Sequence, residues 1–386
     1  MAEMVSFCDL PKEIIETIML WVPADSLVPC KSVNKFWYSL ISAFINNPEF
    51  VAKHLLFTKN QSSASLLFRR PYPLVVHSLI TYPMLTIKYD DDDDDGKNDP
   101  FITVTEALTI PLIRNESCQD LSRWKEIYHC DGLILLVNYL GTMVLCNPAL
   151  KEFRILPQPK NIMIEGPFFK IGFELDFKNN GYKCVAIWCK NICKVEVYTL
   201  GSDSWREINM SQDIMDAIVS AELKDGLCWG GVCYWFVVYD DELRKILSFN
   251  MSNEEFHLIH LPDFEASSFD LGFRVRLSVW KDSVVVCLTS QENILHIFTM
   301  DEAVAGACSW TKYVEVGPIE NYCRVLPFWK NDEIIIKVWD APRVELKLVS
   351  CNICTQKFRD VFCDVGSILY YSDCFYVKSL ISIRRR

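Results

Sequence analysis

The sequence predicts a small N-terminal α-helical module followed by an all-β domain that fills most of its 386 residues. Three observations predict this division. Apolar residues recur every fourth position within the first fifty residues, as they do along one face of a helix. From about residue 65 onward, short apolar runs of strand length replace that periodicity. These runs carry a marker that returns about every 50 residues, which is typical of an architecture built from repeats.

The helical module is expected to begin at a proline. Pro11 fits a first helical turn, where its missing N–H costs nothing, and Ile14, Ile18 and Val22 then form one apolar stripe. Pro23 ends this first helix, and two further short helices follow before residue 50. Helices of this length bury too little surface to enclose a core by themselves. We therefore expect a partner, or the larger domain, to cover their remaining apolar face.

This module resembles an F-box over about residues 8 to 48. The resemblance rests on Leu10-Pro11, the apolar stripe, Ser26-Leu27, Val33 and Trp37, in the order and spacing of that family. It implies an F-box at residues 1–50, a helical linker at 51–64, and docking onto a Skp-type adaptor that joins cullin and RING subunits of a ubiquitin ligase. The adaptor-binding residues that it implies are Leu10, Pro11, Ile14, Ile18, Val22, Leu27, Val33 and Trp37. The alternative is a plain helical cap packed on the larger domain.

Composition and charge limit the possible functions. With 50% hydrophobic and 23% charged residues the chain is globular, and its net charge of −11 argues against nucleic acid, whose recognition requires basic surface. The start of the chain lacks a signal peptide, and no apolar run reaches the ~18 residues that span a bilayer. We therefore expect no membrane contact and a cytoplasmic location. The 17 cysteines are then expected to be buried thiols rather than a disulfide framework.

An unbroken acidic run lies between two of the apolar runs. Six adjacent carboxylates repel one another and cannot pack, so the run predicts an exposed loop. It is either a solvated insertion or a contact for a basic partner. The candidate target-contact residues are Asp90, Asp91, Asp92, Asp93, Asp94 and Asp95.

The repeat marker is an aromatic residue seven positions after the end of an apolar run. It occurs in four places, Cys146/Phe153, Tyr198/Trp205, Phe249/Phe256 and Cys351/Phe358, and in a fifth, Ile297 to Trp310, with an insertion after Met300. The aromatics are predicted to be core residues wedged against a neighbouring unit. A second marker, a turn signal upstream of each aromatic, recurs in register at Asp131-Gly132, Asn180-Gly181, Asp225-Gly226, Lys281-Asp282 and Asn331-Asp332.

A period near 50 with several short strands per unit predicts a kelch-like β-propeller. Five units carry both markers. Residues 65–113 hold three more strand candidates, Ser65–Phe68, Leu74–Ile80 and Phe101–Leu108. With C-terminal strands such as Ile368–Tyr371 and Phe375–Ile381 they could form a sixth blade, so five to six blades are expected. A β-sandwich is the alternative, because regular strand spacing alone does not exclude it.

Residues 65–386 also resemble a plant F-box-associated domain. The resemblance rests on Cys130-Asp131-Gly132-Leu133, Cys146-Asn147-Pro148-Ala149, Phe153 to Pro157, Gly172-Phe173-Glu174, Val197-Tyr198, Ser204-Trp205-Arg206 and Tyr234-Trp235. It is strongest to the S-locus F-box proteins of pollen. In that subfamily the targets are basic style ribonucleases (S-RNases) of self-incompatibility, which are ubiquitinated for degradation.

The motifs favour a binding protein over an enzyme. No catalytic, cofactor or metal site is predicted, since Cys351-x-x-Cys354 lacks a second pair and His257 and His260 lie on opposite strand faces. The two resemblances together imply a non-catalytic substrate receptor of an SCF-type ubiquitin ligase. A propeller enzyme with a helical cap and a scaffold that binds the adaptor without ubiquitination are the alternatives.

Overall fold

A computed structural model shows four N-terminal helices followed by an all-β domain arranged as a five-bladed β-propeller. The residues it describes are 10–60, 64–68, 74–76, 79–88, 102–111, 124–138, 141–160, 169–202, 204–219, 221–239, 242–263, 275–301, 308–330, 332–340, 345–361 and 373–384. The acidic run Asp90–Asp95 and the strand candidate Ile368–Tyr371 lie outside them. No helix in the described residues is long and apolar enough to cross a bilayer.

The helical module contains the three predicted helices and a fourth. They are α1 (Lys12–Trp21), α2 (Ala24–Cys30), α3 (Lys35–Asn46) and α4 (Pro48–Lys59). Asparagine side chains cap two of them: Asn34 Oδ1 accepts from Trp37 N, and Asn47 Oδ1 accepts from Glu49 N, both at 3.0 Å. Phe50 of α4 is 1% exposed and packs in the same core as α1 to α3. The expected boundary at residue 50 therefore lies inside a helix that belongs to the module.

Five four-stranded antiparallel sheets form the blades, each with its strands in chain order. The first blade contains β5 (Trp124–Cys130), β6 (Leu133–Asn138), β7 (Met143–Asn147) and β8 (Glu152–Leu156). The second contains β9 (Phe169–Asp176), β10 (Gly181–Cys189), β11 (Cys193–Thr199) and β12 (Trp205–Ile208). The third contains β13 (Glu222–Trp229), β14 (Val232–Tyr239), β15 (Glu242–Asn250) and β16 (Phe256–His260). The fourth contains β17 (Val275–Trp280), β18 (Ser283–Thr289), β19 (Leu295–Asp301) and β20 (Ser309–Val316). The fifth contains β21 (Tyr322–Lys330), β22 (Glu333–Asp340), β23 (Glu345–Asn352) and β24 (Lys357–Val361). One short helix, α5 (Gln212–Ile218), links the second and third blades.

A further sheet closes the ring between the fifth blade and the first. It contains β1 (Ala64–Phe68), β2 (Leu74–Val76), β3 (Leu79–Lys88), β4 (Ile102–Pro111) and β25 (Asp373–Tyr376). The C-terminal strand β25 pairs antiparallel with β1 and contacts both β21 and β5. The predicted propeller of five to six blades is confirmed, and the β-sandwich alternative is wrong. N-terminal and C-terminal strands share the closing sheet, as the sequence predicts.

The seven-residue marker is a cross-strand pair. Cys146 lies opposite Phe153, Tyr198 opposite Trp205, Phe249 opposite Phe256, Met300 opposite Trp310 and Cys351 opposite Phe358. Each pair joins the third and fourth strands of a blade. In three blades the turn between these strands starts with an asparagine whose Oδ1 accepts two backbone N–H groups; these are Asn147, Asn250 and Asn352. The repeated spacing therefore results from one repeated hairpin.

One of the predicted turns is wrong. Asp131-Gly132 and Lys281-Asp282 do reverse the chain, with φ of 52° and 85° and of 47° and 63°. Gly226, in contrast, lies within β13, where the register shifts and a Cβ would be 3.0 Å from the indole nitrogen of Trp235. The glycine is needed there for close packing, and the chain turns four residues later at Gly230-Gly231.

The repeat aromatics divide into two groups. Trp205 Nε1 donates to the carbonyl oxygen of Pro157 (2.5 Å), and Trp310 Nε1 donates to that of His260 (2.6 Å), so each indole is tied to the preceding blade. Phe256 is also buried, at 6% exposure. Phe153 and Phe358 are 44% and 43% exposed, so their prediction as core residues is wrong. Phe256 is covered by Phe249, the residue opposite it, with ring centroids 4.6 Å apart. Phe153 and Phe358 instead lie opposite the smaller side chains of Cys146 and Cys351.

The cysteines also differ from expectation. Cys189–Cys193 and Cys228–Cys233 form disulfides, each between directly opposed residues of one hairpin. The paired cysteines are only four and five positions apart in the sequence, so the disulfides do not link blades. Eight cysteines are seen as free thiols, and five of these are buried: Cys130, Cys146, Cys184, Cys287 and Cys351. The thiol prediction thus fails at the two hairpins, where strand pairing itself brings the sulfur atoms together.

Candidate functional site: an apolar helix face held against the propeller

Helix α1 has apolar side chains on two faces. Ile15 and Met19 are 7% and 2% exposed and form part of the module core. Ile14 and Ile18 are 48% and 37% exposed, and Trp21, one turn further along, is 65% exposed. A helix that is apolar on both faces is normally buried on both. The α1 stripe, defined here as Ile14, Ile18 and Trp21, is therefore a candidate surface for binding a partner.

A second exposed apolar group lies at the start of α3. Val33, Phe36 and Tyr38 are 64%, 37% and 61% exposed. The side chain of Asn34 caps the N-terminus of α3, so these three side chains lie in or just before an ordered first turn. The module thus displays two groups of exposed, large apolar side chains, on α1 and at the start of α3, far more than solubility favours.

The structure places most of the predicted adaptor-binding residues at or near this surface. Ile14, Ile18 and Val33 are exposed, as is Pro11, which precedes α1. Three others are partly buried and pack against the module core: Leu10, Val22 and Trp37. Their contact with an adaptor stays a prediction.

Leu27 requires a correction. Its side chain is 2% exposed and lies in the module core, so it cannot contact an adaptor while that core is intact. The sequence analysis also missed Trp21, Phe36 and Tyr38. The signal for Trp21 was present, because it lies three residues after Ile18 and so on the same helix face.

The opposite side of the module is held by the C-terminal segment, residues 377–384. Leu380 is 0% exposed and packs in the module core together with Ala149 of the first blade. Asn147 Nδ2 donates to the carbonyl oxygens of Ser379 (3.0 Å) and Ile381 (2.7 Å). The segment thus lies between the helices, against which it packs, and the β7–β8 turn, to which it is hydrogen-bonded.

Charged pairs and a close backbone approach complete this junction. Lys378 Nζ lies 2.8 Å from Asp25 Oδ2, and Lys59 Nζ at the end of α4 lies 2.6 Å from Asp131 Oδ1 in the β5–β6 turn. A Cβ on Gly132 would lie 2.4 Å from Ser379 Oγ, so the turn admits only glycine beside the segment. The module is therefore fixed to one end of the propeller by both packing and polar contacts.

Within the propeller, a buried ion network joins the second and third blades. Lys183 Nζ contacts Asp176 Oδ2 (2.8 Å) and Glu254 Oε1 (2.9 Å), and Arg206 contacts Glu254 at 2.7 Å. Burial alone raises the pKa of Asp176, but hydrogen bonds, first among them that from Lys183, hold this pKa well below its ordinary value. Because each buried charge has an oppositely charged partner, we assign the network a structural role. It links the β9–β10 and β15–β16 turns, at the end of the propeller that carries the module.

His129, at the same end, makes stability depend on pH. Its Nε2 accepts from Gly132 N (3.0 Å), and its ring packs edge-on against Tyr376, with ring centroids 5.4 Å apart. Burial lowers the pKa of His129 to about 4, against a partial opposing effect of Asp131. The unfolded chain therefore binds the proton first as the pH falls below about 6.5.

We expect His129 to remove up to about 2 kcal/mol of stability between pH 7 and pH 5. His129→Gln keeps an acceptor for Gly132 N but does not titrate. Urea unfolding at both pH values should show a smaller pH-dependent loss for this variant than for the wild type. Equal losses in the two proteins would contradict the assignment, whatever the variant's stability at pH 7.

Two known families match the chain and together span nearly all of it. Residues 7–48 match the F-box domain, and residues 78–383 match the F-box associated β-propeller domain. The helical module and the ring of blades thus define the class: an F-box protein whose second domain is a propeller. The chain belongs to the F-box associated β-propeller family, since that match covers well over half of its 386 residues.

Proteins similar to this chain occur in Arabidopsis thaliana. The chain is 26% identical over 322 residues to an F-box protein, with 79% of this chain and 80% of the relative covered. To an F-box/kelch-repeat protein it is 26% identical over 339 residues, with 84% and 81% covered. Among solved structures, an oligogalacturonate lyase in complex with manganese aligns with a TM-score of 0.43 at 8% identity, over 78% of this chain and 77% of the lyase. So weak a likeness implies no shared activity.

Proposed function

We propose that this protein is the substrate-receptor subunit of an SCF-type cullin–RING ubiquitin ligase. The observation that carries the proposal is the exposure of Ile14, Ile18 and Trp21 on a helix whose other apolar face is already buried. In an F-box, such a face is the surface that a Skp-type adaptor covers. The propeller then binds the target protein, and the adaptor links both to the cullin and RING subunits.

The chemistry of this role is positional. A separate conjugating enzyme supplies the reactive thioester, and no residue of this chain needs to be catalytic. Holding a target lysine beside that thioester raises its effective concentration, which converts an encounter between two molecules into an intramolecular step. The junction at Leu380 supports this role, because a module fixed to the propeller holds a bound target at a defined distance from the adaptor.

The target is proposed to be a basic protein in the cytoplasm. The net charge of −11 favours such a partner. An S-RNase target, and with it the S-locus subfamily, follows only from the resemblance of the sequence. The contact of Asp90–Asp95 with a target also stays a prediction. The strands that flank the run, β3 and β4, pair with each other at Lys88 and Ile102, one position beyond the pairing of Ile87 with Ala64.

Two alternatives remain distinct from this proposal. An enzyme with a helical cap would need a convergent cluster of catalytic side chains. A non-ubiquitinating scaffold would bind the same adaptor and the same target but leave the target's lifetime unchanged. Only a measurement of target lifetime separates that scaffold from a receptor.

The test uses the full chain and the double variant Ile14→Glu/Ile18→Glu, expressed in cells and purified with whatever they bind. We expect some proteins to copurify with both the wild type and the variant. In cells where the variant replaces the wild type, these proteins should accumulate and carry less attached ubiquitin. The variant still binds targets because the substitutions lie on the module. Copurifying proteins whose lifetime and ubiquitination are the same in both cells would support the scaffold instead.

A further inference from the structure

The side of the propeller between the third and fourth blades contains a cleft of about 820 Å³. One wall is the end of β16 and the residues after it, His260 to Asp263. The other wall is the β18–β19 turn with Ser290 and Glu292, together with the outer strands β19 and β20. This volume lies in the range of sites that hold a drug-sized molecule or a few residues of peptide. Nothing in the proposed adaptor contact uses this cleft.

The floor of the cleft is apolar and rigid. Pro262 and Phe298 are buried, and Leu261 packs with Phe298 in the core between the two blades. The indole of Trp310 is held by its hydrogen bond to the carbonyl oxygen of His260 (2.6 Å). An apolar side chain that entered the cleft would therefore meet a preformed surface and would not have to order it.

The rim of the cleft is acidic. Asp263 and Glu292 are exposed at its two sides, and Lys312, the basic side chain of the lining, is already ion-paired with Glu315. Burial lowers the pKa of the lining His296, so its imidazole is neutral at pH 7. Because Glu315 offsets the charge of Lys312, the two lining carboxylates, Asp263 and Glu292, leave a negative rim over an apolar floor.

The position of the cleft leaves it open to a large partner. The module contacts two turns of the first blade: Lys59 pairs with Asp131 in the turn between the first and second strands, and the module core includes Ala149 in the turn between the third and fourth. Strands alternate in direction, so the β18–β19 turn, which joins a second strand to a third, lies at the opposite end of the propeller. A partner seated over Glu292 would therefore not collide with the helices or with an adaptor bound to them.

We propose that this cleft binds an extended segment of the target in which a lysine or arginine adjoins an apolar side chain. The inference rests on the proposed role as a substrate receptor and names the feature that it would recognise. The basic group lies between Asp263 and Glu292, and the apolar side chain lies on Leu261, Phe298 and Trp310. An acidic or phosphorylated segment would be repelled by the same rim.

The test is selection from a random decapeptide phage library on the immobilised full chain. We expect the recovered peptides to be enriched in a lysine or arginine next to an apolar residue. Synthetic versions should bind about tenfold or more weakly to the variant Asp263→Asn/Glu292→Gln, and more weakly at high salt. The matched control is Asp213→Asn/Glu320→Gln, which removes the same charge from two exposed positions outside the cleft lining and should leave binding unchanged.

Peptides without a basic residue, or peptides that bind the cleft variant as tightly as the wild type, would overturn the proposal. Equal weakening by the control variant would also overturn it, because only the overall charge would then matter. Adaptor capture is measured on the same protein samples. Loss of peptide binding with adaptor capture intact refutes the cleft alone, whereas failed adaptor capture refutes the proposed function.

Discussion

Replacing Ile14 and Ile18 together by glutamate is expected to abolish capture of a Skp-type adaptor. Both side chains are large, apolar and exposed, and they lie one turn apart on α1. A buried interface core tolerates an unpaired charge poorly, so two such substitutions should weaken binding at least ~100-fold. Stability should change by no more than ~1 kcal/mol, because neither side chain belongs to the module core.

The measurement is copurification with the adaptor, followed by titration of the purified chain and a urea unfolding curve. Leu56→Glu is the matched control, since Leu56 is 61% exposed on α4, outside the residues that match the F-box domain. It should leave adaptor capture intact. If the double variant captures the adaptor as well as the wild type does, the α1 stripe is not the adaptor surface.

Leu380→Ala is expected to cost ~2–5 kcal/mol of stability. The side chain is fully buried between the helices and the first blade, and its loss leaves a cavity that the hydrogen-bonded segment around it cannot close. A loss of this size is a large fraction of the total stability of a folded domain. Because the lost contacts are confined to this junction, the propeller of the variant should stay folded at low denaturant concentration.

Urea unfolding monitored by tryptophan fluorescence gives this cost. Ile192→Ala removes an apolar side chain that is 55% exposed, and this control should cost well under ~1 kcal/mol. Small-angle scattering of the variant should also show a broader range of distances between module and propeller. A Leu380→Ala cost equal to that of the control would show that the segment is not a structural part of the junction.

The sequence predicts those parts of the fold that repeat. The spacing of Tyr198 and Trp205 indicates a hairpin because paired strands joined by a short turn impose a fixed distance along the chain. The exposure of Phe153 could not be predicted, since its spacing is the same and only the neighbouring strand differs. Gly226 resembles a turn residue, yet contact with Trp235, a residue of the next strand, explains it.

Some parts of the candidate site could likewise be predicted from the sequence, and others could not. Ile14 and Ile18 could be found because their spacing places them on one helix face, and helices this short cannot enclose a core by themselves. The junction could not be found, because Asn147 and Ser379 are more than two hundred residues apart and neither belongs to a repeating pattern. The cleft was missed for a similar reason, since Asp263 and Glu292 come from different blades.

The closing sheet has a consequence for the synthesis of the protein. Ser65 pairs with Tyr376, 311 residues further along the chain. At about 5–20 residues per second, a ribosome needs roughly 15–60 s to translate that interval. Throughout it β1, which can already pair with β3, lacks its second neighbour β25, and each newly made blade exposes apolar surface until the next one covers it. A nascent chain that stalls before residue 373 leaves an open ring, so translational pausing near the end should divert this protein to chaperones or degradation.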